Sequence, residues 1–153
     1  MKLSTRARYG LRGVFDIAYH NRGESTHVKD IARRQGVTPR YLEQIFQALK
    51  KAGILAAVRG PRGGYYLARP AAEIRVGDVV RATEGPIRFE SPPGPPKQGE
   101  RDRGERFLAE VWDELGERVE GVLDGISLED LCARGEAAGL SRETPADQLM
   151  YFI

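Results

Sequence analysis

The chain has 153 residues and a mass of 17.0 kDa, the size of one domain or of a small domain with an appended segment. Hydrophobic residues make up 41% of it and charged residues 30%, which is typical of a globular protein rather than a disordered one. The single cysteine, Cys132, excludes an internal disulfide framework and any site that needs two or more local thiolates. Since no leader-like or membrane-spanning apolar run is present, we expect a cytoplasmic protein that does not contact a membrane.

The charge is divided unevenly along the chain. Residues 1–81 carry 16 Lys and Arg against 6 Asp and Glu, whereas residues 82–153 carry 8 against 16. The net charge of +2 therefore combines a basic half with an acidic half. This asymmetry favours a polyanion as the partner of the first half, although solvated basic faces without a ligand would look the same.

Three helices are predicted over the first 52 residues. Ser4 is a suitable N-cap for a helix that ends at about residue 21 and has one apolar stripe of 3.6-residue period. A short helix is predicted over 28–35. Thr38 and Pro39 then supply a hydroxyl N-cap and a first-turn proline, so a third helix is predicted from Pro39 to about Ala52.

A hairpin and three further helices are predicted after the third helix. Apolar runs flank the turn of residues 60–64, which contains Gly and Pro, and this pattern is typical of a β-hairpin. Helices are predicted over 76–84, from about 102 to 124, and from an N-cap at Ser127 to about 134. The sequence thus predicts four parts: a DNA-binding unit over 1–84, a Pro-rich loop over 85–101, a long and a short helix over 102–138, and a tail over 139–153.

Two short helices joined by a tight turn and followed by a basic hairpin are typical of a winged helix-turn-helix, whose second helix enters the major groove. The fold class predicted is therefore mostly α with a small β-hairpin wing, and a long helix is appended to it. A polar stripe alone would more often be an ordinary solvated helix face. Stripe, hairpin and basic charge together favour DNA binding.

The polar stripe and the hairpin turn supply suitable DNA contacts. Arg40 can bind guanine, Gln44 and Gln47 can pair with adenine, and Glu43 can accept from the amino group of cytosine. Lys50 and Lys51 are expected to contact phosphate, which fixes position without reading sequence. Arg59 and Arg62 flank the hairpin turn, where glycines such as Gly60 permit close backbone approach and an arginine can reach phosphate or a narrow minor groove.

Several segments resemble one family of regulators. Met1-Lys-Leu-Ser-Thr-Arg-Ala-Arg-Tyr-Gly10, Tyr41-Leu-Glu-Gln44 and Val58-Arg-Gly-Pro-Arg-Gly-Gly-Tyr65 are similar to the Rrf-two (Rrf2) family of winged-helix repressors. The resemblance covers about residues 1–132, and the wing is its most specific segment. It implies a homodimer held by the long helix, which would present two equivalent recognition helices to a pseudo-palindromic operator in double-stranded DNA.

The apolar spacing of the long helix suggests such a self-associating seam independently, although a stripe facing an intramolecular core would look the same. The residues of the expected dimer interface are Leu108, Val111, Trp112, Leu115, Val119 and Val122.

The metal chemistry of the resembled family is not expected here. Its cluster-binding members carry three cysteines in the loop before the long helix, whereas residues 86–105 contain neither Cys nor His. Arg8 stands where some relatives supply a ligating carboxylate. We therefore expect no metal and no cofactor. Cys132 is expected to be a small buried apolar residue, with a redox switch as the alternative.

The end of the chain resembles the cluster-free members of the family that repress cysteine metabolism. The resemblance of Tyr151, Phe152 and Ile153 implies docking into the active-site cleft of O-acetylserine (thiol)-lyase, where backbone N–H groups would bind the terminal carboxylate and a pocket would take the apolar side chain. Packing of these residues on the dimer is the alternative.

The sequence as a whole predicts a non-catalytic, sequence-specific repressor of cysteine or sulfur metabolism genes. A cluster-free regulator of another regulon with a redox or small-molecule signal is one alternative, and a tail-dependent inhibitor of the lyase is another. Residues 60–64 lack the Gly-Lys-Ser/Thr ending of a phosphate-binding loop, and no catalytic constellation is recognisable. An enzyme is therefore not expected.

Overall fold

The computed structural model describes residues 3–89 and 100–143, with side chains from residue 103 onward in the second range. The predicted docking residues Tyr151, Phe152 and Ile153 lie outside these ranges. Most of the predicted Pro-rich loop also lies outside them.

Six helices, one turn of 3-10 helix and a two-stranded hairpin make up the described ranges, so the predicted mostly-α fold with a small hairpin wing is confirmed. In chain order they are α1 (Thr5–Asn21), α2 (Val28–Gln35), α3 (Pro39–Lys51), β1 (Leu55–Val58), β2 (Gly64–Leu67), the 3-10 turn (Ala71–Glu73), α4 (Val76–Glu84), α5 (Glu100–Asp124) and α6 (Leu128–Ala137).

Side-chain caps explain where three of the helices begin. Ser4 Oγ accepts a hydrogen bond from the Ala7 N–H at 3.1 Å. At α3, Thr38 Oγ1 accepts from the Tyr41 N–H at 3.2 Å, and Pro39 occupies the first helical turn. Ser127 caps α6 by accepting from the Asp130 N–H at 3.0 Å. These bonds satisfy backbone donors that have no partner within the helix.

The core lies around α1, which packs against α2, α3, α4 and α6. Ile17, Ile31, Phe46 and Val79 are fully buried and come from four different helices. Leu128 on α6 is also fully buried in this cluster. The helix after α5 therefore packs with the N-terminal elements.

Cys132 was expected to be buried, but it is only partly buried on α6. It packs against the edge of the core and lines a cavity of about 780 Å³ together with Ala18 and Leu67. The physical reason is that α6 lies at the border of the core, where only Leu128 and Gly135 of the helix are buried.

In the part of the chain that the structure describes, α5 packs chiefly against α4, Phe89 lies against Trp112 with ring centroids 6.3 Å apart, and an apolar face of α5 stays largely exposed. Exposed fractions on this face run from 40 to 66% of each residue, and the residues are Phe107, Leu108, Trp112, Leu115 and Val122. Val111 and Val119 are partly exposed. Within 3–89 and 100–143, no helix is long and apolar enough to cross a bilayer.

Candidate nucleic-acid interface

The outward face of α3 is polar and solvent-exposed, while its inward face is locked in the core. Leu42, Ile45 and Leu49 are buried. All six residues that the sequence singled out on this helix are exposed, namely Arg40, Glu43, Gln44, Gln47, Lys50 and Lys51. One surface therefore displays basic, acidic and amide side chains on a rigid helix.

A buried ion pair holds α2, the helix before α3, against α1. The Asp16 side chain is fully buried and accepts from Arg34 Nε at 3.0 Å and from Arg34 Nη2 at 2.7 Å. Gln35 Nε2 donates to the same carboxylate at 2.7 Å. Burial by itself would lower the pKa of Arg34, but its hydrogen bonds with Asp16 and Glu143 raise it above the usual value. These hydrogen bonds to one buried carboxylate fix the orientation of α2.

The hairpin turn places its two arginines in solvent. Arg59, Gly60 and Arg62 are all exposed. Gly60 has a φ of 112°, a conformation open to glycine at little cost. A Cβ on Gly63 would overlap the carbonyl oxygen of Val58. This compact turn can approach a ligand closely through its backbone.

The base of the hairpin is attached to the rest of the domain on two sides. Thr26 and Tyr65 exchange backbone hydrogen bonds, each of 2.9 Å, so that Thr26 adds an isolated bridge to the sheet. The Tyr65 ring packs edge-on against Phe46 of α3, with the centroids 4.9 Å apart. The wing and α3 therefore keep a fixed relation.

Tyr65 also connects the wing to the polar face of α3. Burial raises the pKa of the Tyr65 hydroxyl, the charge of Glu43 raises it further, and the Gln47 side chain opposes the rise. Glu43 and Gln47 thus lie on the part of α3 that faces the wing.

Sequence reasoning missed the residues that position this surface. Asp16, Arg34 and Thr26 form their contacts with partners distant in the sequence, and no local spacing marks them. One signal could have been read: Asp16 falls in the middle of an apolar stripe, where a carboxylate needs a partner.

The segment after α6 returns to the same part of the molecule. The Glu143 N–H donates to His20 Nδ1 at 2.9 Å, and Glu143 Oε2 accepts from Arg33 Nη2 at 2.9 Å. The Tyr19 hydroxyl donates to the Leu140 carbonyl at 2.7 Å. Residues 140–143 therefore lie against α1 and α2.

The helix pair α2 and α3 with the hairpin that follows them is a winged helix-turn-helix, and this fold defines a class of DNA-binding proteins. Its polar second helix and basic wing face solvent together. The chain belongs to the Rrf2 family, whose model, described as an iron-dependent transcriptional regulator, matches residues 3–134. This is a family of DNA-binding regulators rather than enzymes.

Named relatives and solved structures agree with this assignment. The HTH-type transcriptional regulator IscR of Serratia proteamaculans is 39% identical over 132 residues, covering 86% of this chain and 79% of that protein. IscR of Xenorhabdus nematophila is 35% identical over 149 residues, covering 97% and 89%.

Among solved structures, T. potens IscR aligns with a TM-score of 0.72 and 36% identity over 94% of each chain. CymR, the global cysteine regulator of B. subtilis, aligns with a TM-score of 0.69 and 36% identity, covering 88% of this chain and 98% of that one.

Iron is named in the family description, but the donor set of this chain does not fit an iron–sulfur cluster. Such a cluster needs several thiolates or imidazoles gathered in one place. The chain has one cysteine and two histidines. Burial raises the pKa of the Cys132 thiol, which disfavours the thiolate form, and His20 is engaged by Glu143. In residues 3–89 and 100–143, no group of three or more His, Cys, Asp or Glu side chains could hold a metal ion.

Proposed function

We propose that the chain is a homodimeric, sequence-specific transcriptional repressor that reads a pseudo-palindromic operator with α3 and the wing. The observation that carries this proposal is the shared surface of α3 and the hairpin, on which every predicted contact residue is exposed. The fixed relation between α3 and the wing allows both to engage one half-site.

The contacts divide into two kinds. Arg40 and Gln44 lie in the first half of α3, the part of a recognition helix that meets base edges. Glu43 and Gln47 would read bases on the side that faces the wing. Phosphate contacts come from side chains at the end of α3 and on the hairpin turn, which are Lys50, Lys51, Arg59 and Arg62, with Gly60 at the point of closest backbone approach.

The exposed apolar face of α5 supports the dimer. A contiguous apolar patch of this kind is uncommon on a monomer and marks an interaction surface. A second copy is the occupant we propose, because a two-fold contact of α5 with α5 covers Leu108, Trp112 and Leu115 on both chains at once. Val111, Val119 and Val122 complete the proposed seam.

A selection experiment followed by binding assays tests the reading of DNA. The wild-type protein selects an operator from random duplexes, and binding to that operator is then compared with binding to random DNA. Arg40→Ala should cost about 1–3 kcal/mol on the operator and relax its base preference, whereas Lys50→Ala should weaken both DNAs alike. Equal losses on both DNAs for Arg40→Ala would contradict the role given to Arg40.

Light scattering tests the dimer. Leu115→Asp with Val119→Asp should give monomers, because two desolvated carboxylates would face the partner chain. The matched control is Glu117→Gln, an exposed residue of the same helix. A wild-type chain that is monomeric at micromolar concentration would contradict the proposed seam.

We further propose that the regulated genes belong to cysteine or sulfur metabolism, with O-acetylserine (thiol)-lyase as a partner of Tyr151, Phe152 and Ile153. The similarity to B. subtilis CymR supports the first part. The similarity to IscR proteins supports the alternative, in which the chain regulates a different set of genes. Shift assays on DNA upstream of cysteine-synthesis genes, run with and without the lyase, decide between them. Deletion of residues 151–153 should abolish lyase binding in calorimetry and leave dimerisation intact.

A further inference from the structure

Two backbone hydrogen bonds join the C-terminal end of the long helix α5 to the winged helix-turn-helix unit. The Val76 N–H donates to the Ile126 carbonyl at 2.9 Å, and the Leu128 N–H donates to the Ile74 carbonyl at 2.9 Å. These two bonds connect the start of α4 with the short segment between α5 and α6. Two hydrogen bonds at one point hold α5 to α4. The angle between the two helices is then restricted by other contacts.

A second attachment lies further along α4. Arg81 donates to Asp124 through two nitrogens, from Nη2 to Oδ1 at 2.7 Å and from Nη1 to Oδ2 at 3.2 Å. Arg81 Nη1 also lies 3.6 Å from Glu120 Oε1, one turn earlier on α5. Paired hydrogen bonds between a planar guanidinium and a carboxylate fix orientation as well as distance.

Two neighbouring residues hold this ion pair in place. Asp78 Oδ1 accepts from Arg81 Nη2 at 3.2 Å, which aligns the guanidinium from its own helix. Gly77 leaves the space that the Asp124 carboxylate occupies, since a Cβ at this position would overlap Asp124 Oδ1. Gly77 has no positive φ, so the close approach of Asp124 is the reason that glycine fits here.

We propose that the Arg81–Asp124 pair, seated over Gly77, fixes the angle between the DNA-reading unit and α5 and thereby determines which half-site spacing the dimer accepts. This inference rests on the proposed dimer through α5. Arg81 and Asp124 are positioning residues in it, since they lie on the inner joint and not on the polar face of α3.

Helix geometry shows why this angle matters. At 1.5 Å per residue, about 24 Å of helix separate Asp124 from Leu108 in the proposed seam. A rotation of about 10° over that length displaces the far end by about 4 Å. This displacement is close to the rise of one base pair, about 3.4 Å. One added base pair also rotates the half-sites by about 35° relative to each other, because a helical turn takes about 10–10.5 base pairs. A loosened joint would therefore reduce the penalty for altered spacing without removing it.

The test uses the operator selected by the wild-type protein and two derivatives with one base pair inserted or deleted at its centre. Affinities for all three duplexes are measured for the wild type, Asp124→Asn and Gly77→Ala. Both variants should remain dimers, and the penalty for altered spacing should fall by about tenfold, equivalent to about 1.4 kcal/mol. Glu114→Gln is the matched control, because Glu114 pairs with Arg118 within α5.

The outcomes are distinct. A wild-type spacing penalty in both variants would overturn the inference. An equal loss of affinity on all three duplexes would overturn it too, because that result indicates reduced stability rather than a freer angle. Thermal unfolding of each variant identifies this second case. A wild-type protein that selects no two-fold sequence would contradict the proposed function itself.

Discussion

Replacing Asp16 with alanine should strongly destabilise the protein, because it leaves the charge of Arg34 without its main partner. The Asp16 side chain is fully buried, and the Arg34 side chain is 12% exposed. In the variant, the only remaining ion-pair contact of Arg34 within residues 3–89 and 100–143 is Glu143 Oε2, at 3.3 Å. The guanidinium would then be desolvated and poorly compensated.

The size of the effect follows from this geometry. Removing one partner of a buried ion pair costs about 3–5 kcal/mol. Glu143 offers partial compensation, so we expect a loss of about 3 kcal/mol in the free energy of unfolding. For a chain of this length, that loss lowers the melting temperature by about 6–12 °C.

Urea unfolding at fixed protein concentration measures this loss, since the concentration of a dimer affects its apparent stability. The matched control is Arg33→Met, which removes the neighbouring, largely exposed contact with Glu143 and should cost less than about 1 kcal/mol. The double variant Asp16→Val with Arg34→Met should cost less than Asp16→Ala, because no charge of the pair remains buried and the further losses are the hydrogen bonds from Gln35 to Asp16 and from Arg34 to Glu143. If Asp16→Ala costs no more than Arg33→Met, the reasoning is refuted.

Three further predictions concern pH, the wing and metal. Burial lowers the pKa of His20 below its usual value of 6.5, so the unfolded chain binds the proton more tightly than the folded chain does. The free energy of unfolding should therefore be highest above pH 6.5 and should fall as the pH drops from 6.5 through the pKa of His20 in the folded state. His20→Gln should flatten that dependence in urea titrations at stepped pH. In Gly64→Ala the new Cβ would overlap the Thr26 carbonyl. This variant should lose about 1–3 kcal/mol of stability and bind the operator more weakly in shift assays. The control Gly104→Ala, which has open space around its Cβ, should keep both its stability and its operator affinity. Treatment with a chelator should leave operator affinity unchanged, because a single cysteine cannot hold a cluster; a chelator-sensitive affinity accompanied by bound iron would contradict this.

Much of the candidate site could be predicted from local sequence signals. The N-caps Ser4, Thr38 and Ser127 marked the starts of three helices, because capping depends on neighbouring backbone groups only. The exposed face of α3 followed from its 3.6-residue period. The glycine-rich turn of residues 60–64 identified the hairpin, because glycine is the residue that allows the backbone to turn tightly.

The relative placement of these elements was decided by contacts that no local pattern specifies. Asp16 with Arg34, Thr26 with Tyr65, and Arg81 with Asp124 each join separate elements. A carboxylate in the sequence does not reveal which guanidinium it will meet, because that choice depends on how the helices pack.

The apolar stripe of α5 shows the same division. The sequence by itself determined that Leu108, Leu115 and Val122 share one face of a long helix. Only the tertiary structure decided that this face stays exposed among residues 3–89 and 100–143: the core around α1 is already filled by α2, α3, α4 and α6, and α5 packs chiefly along α4.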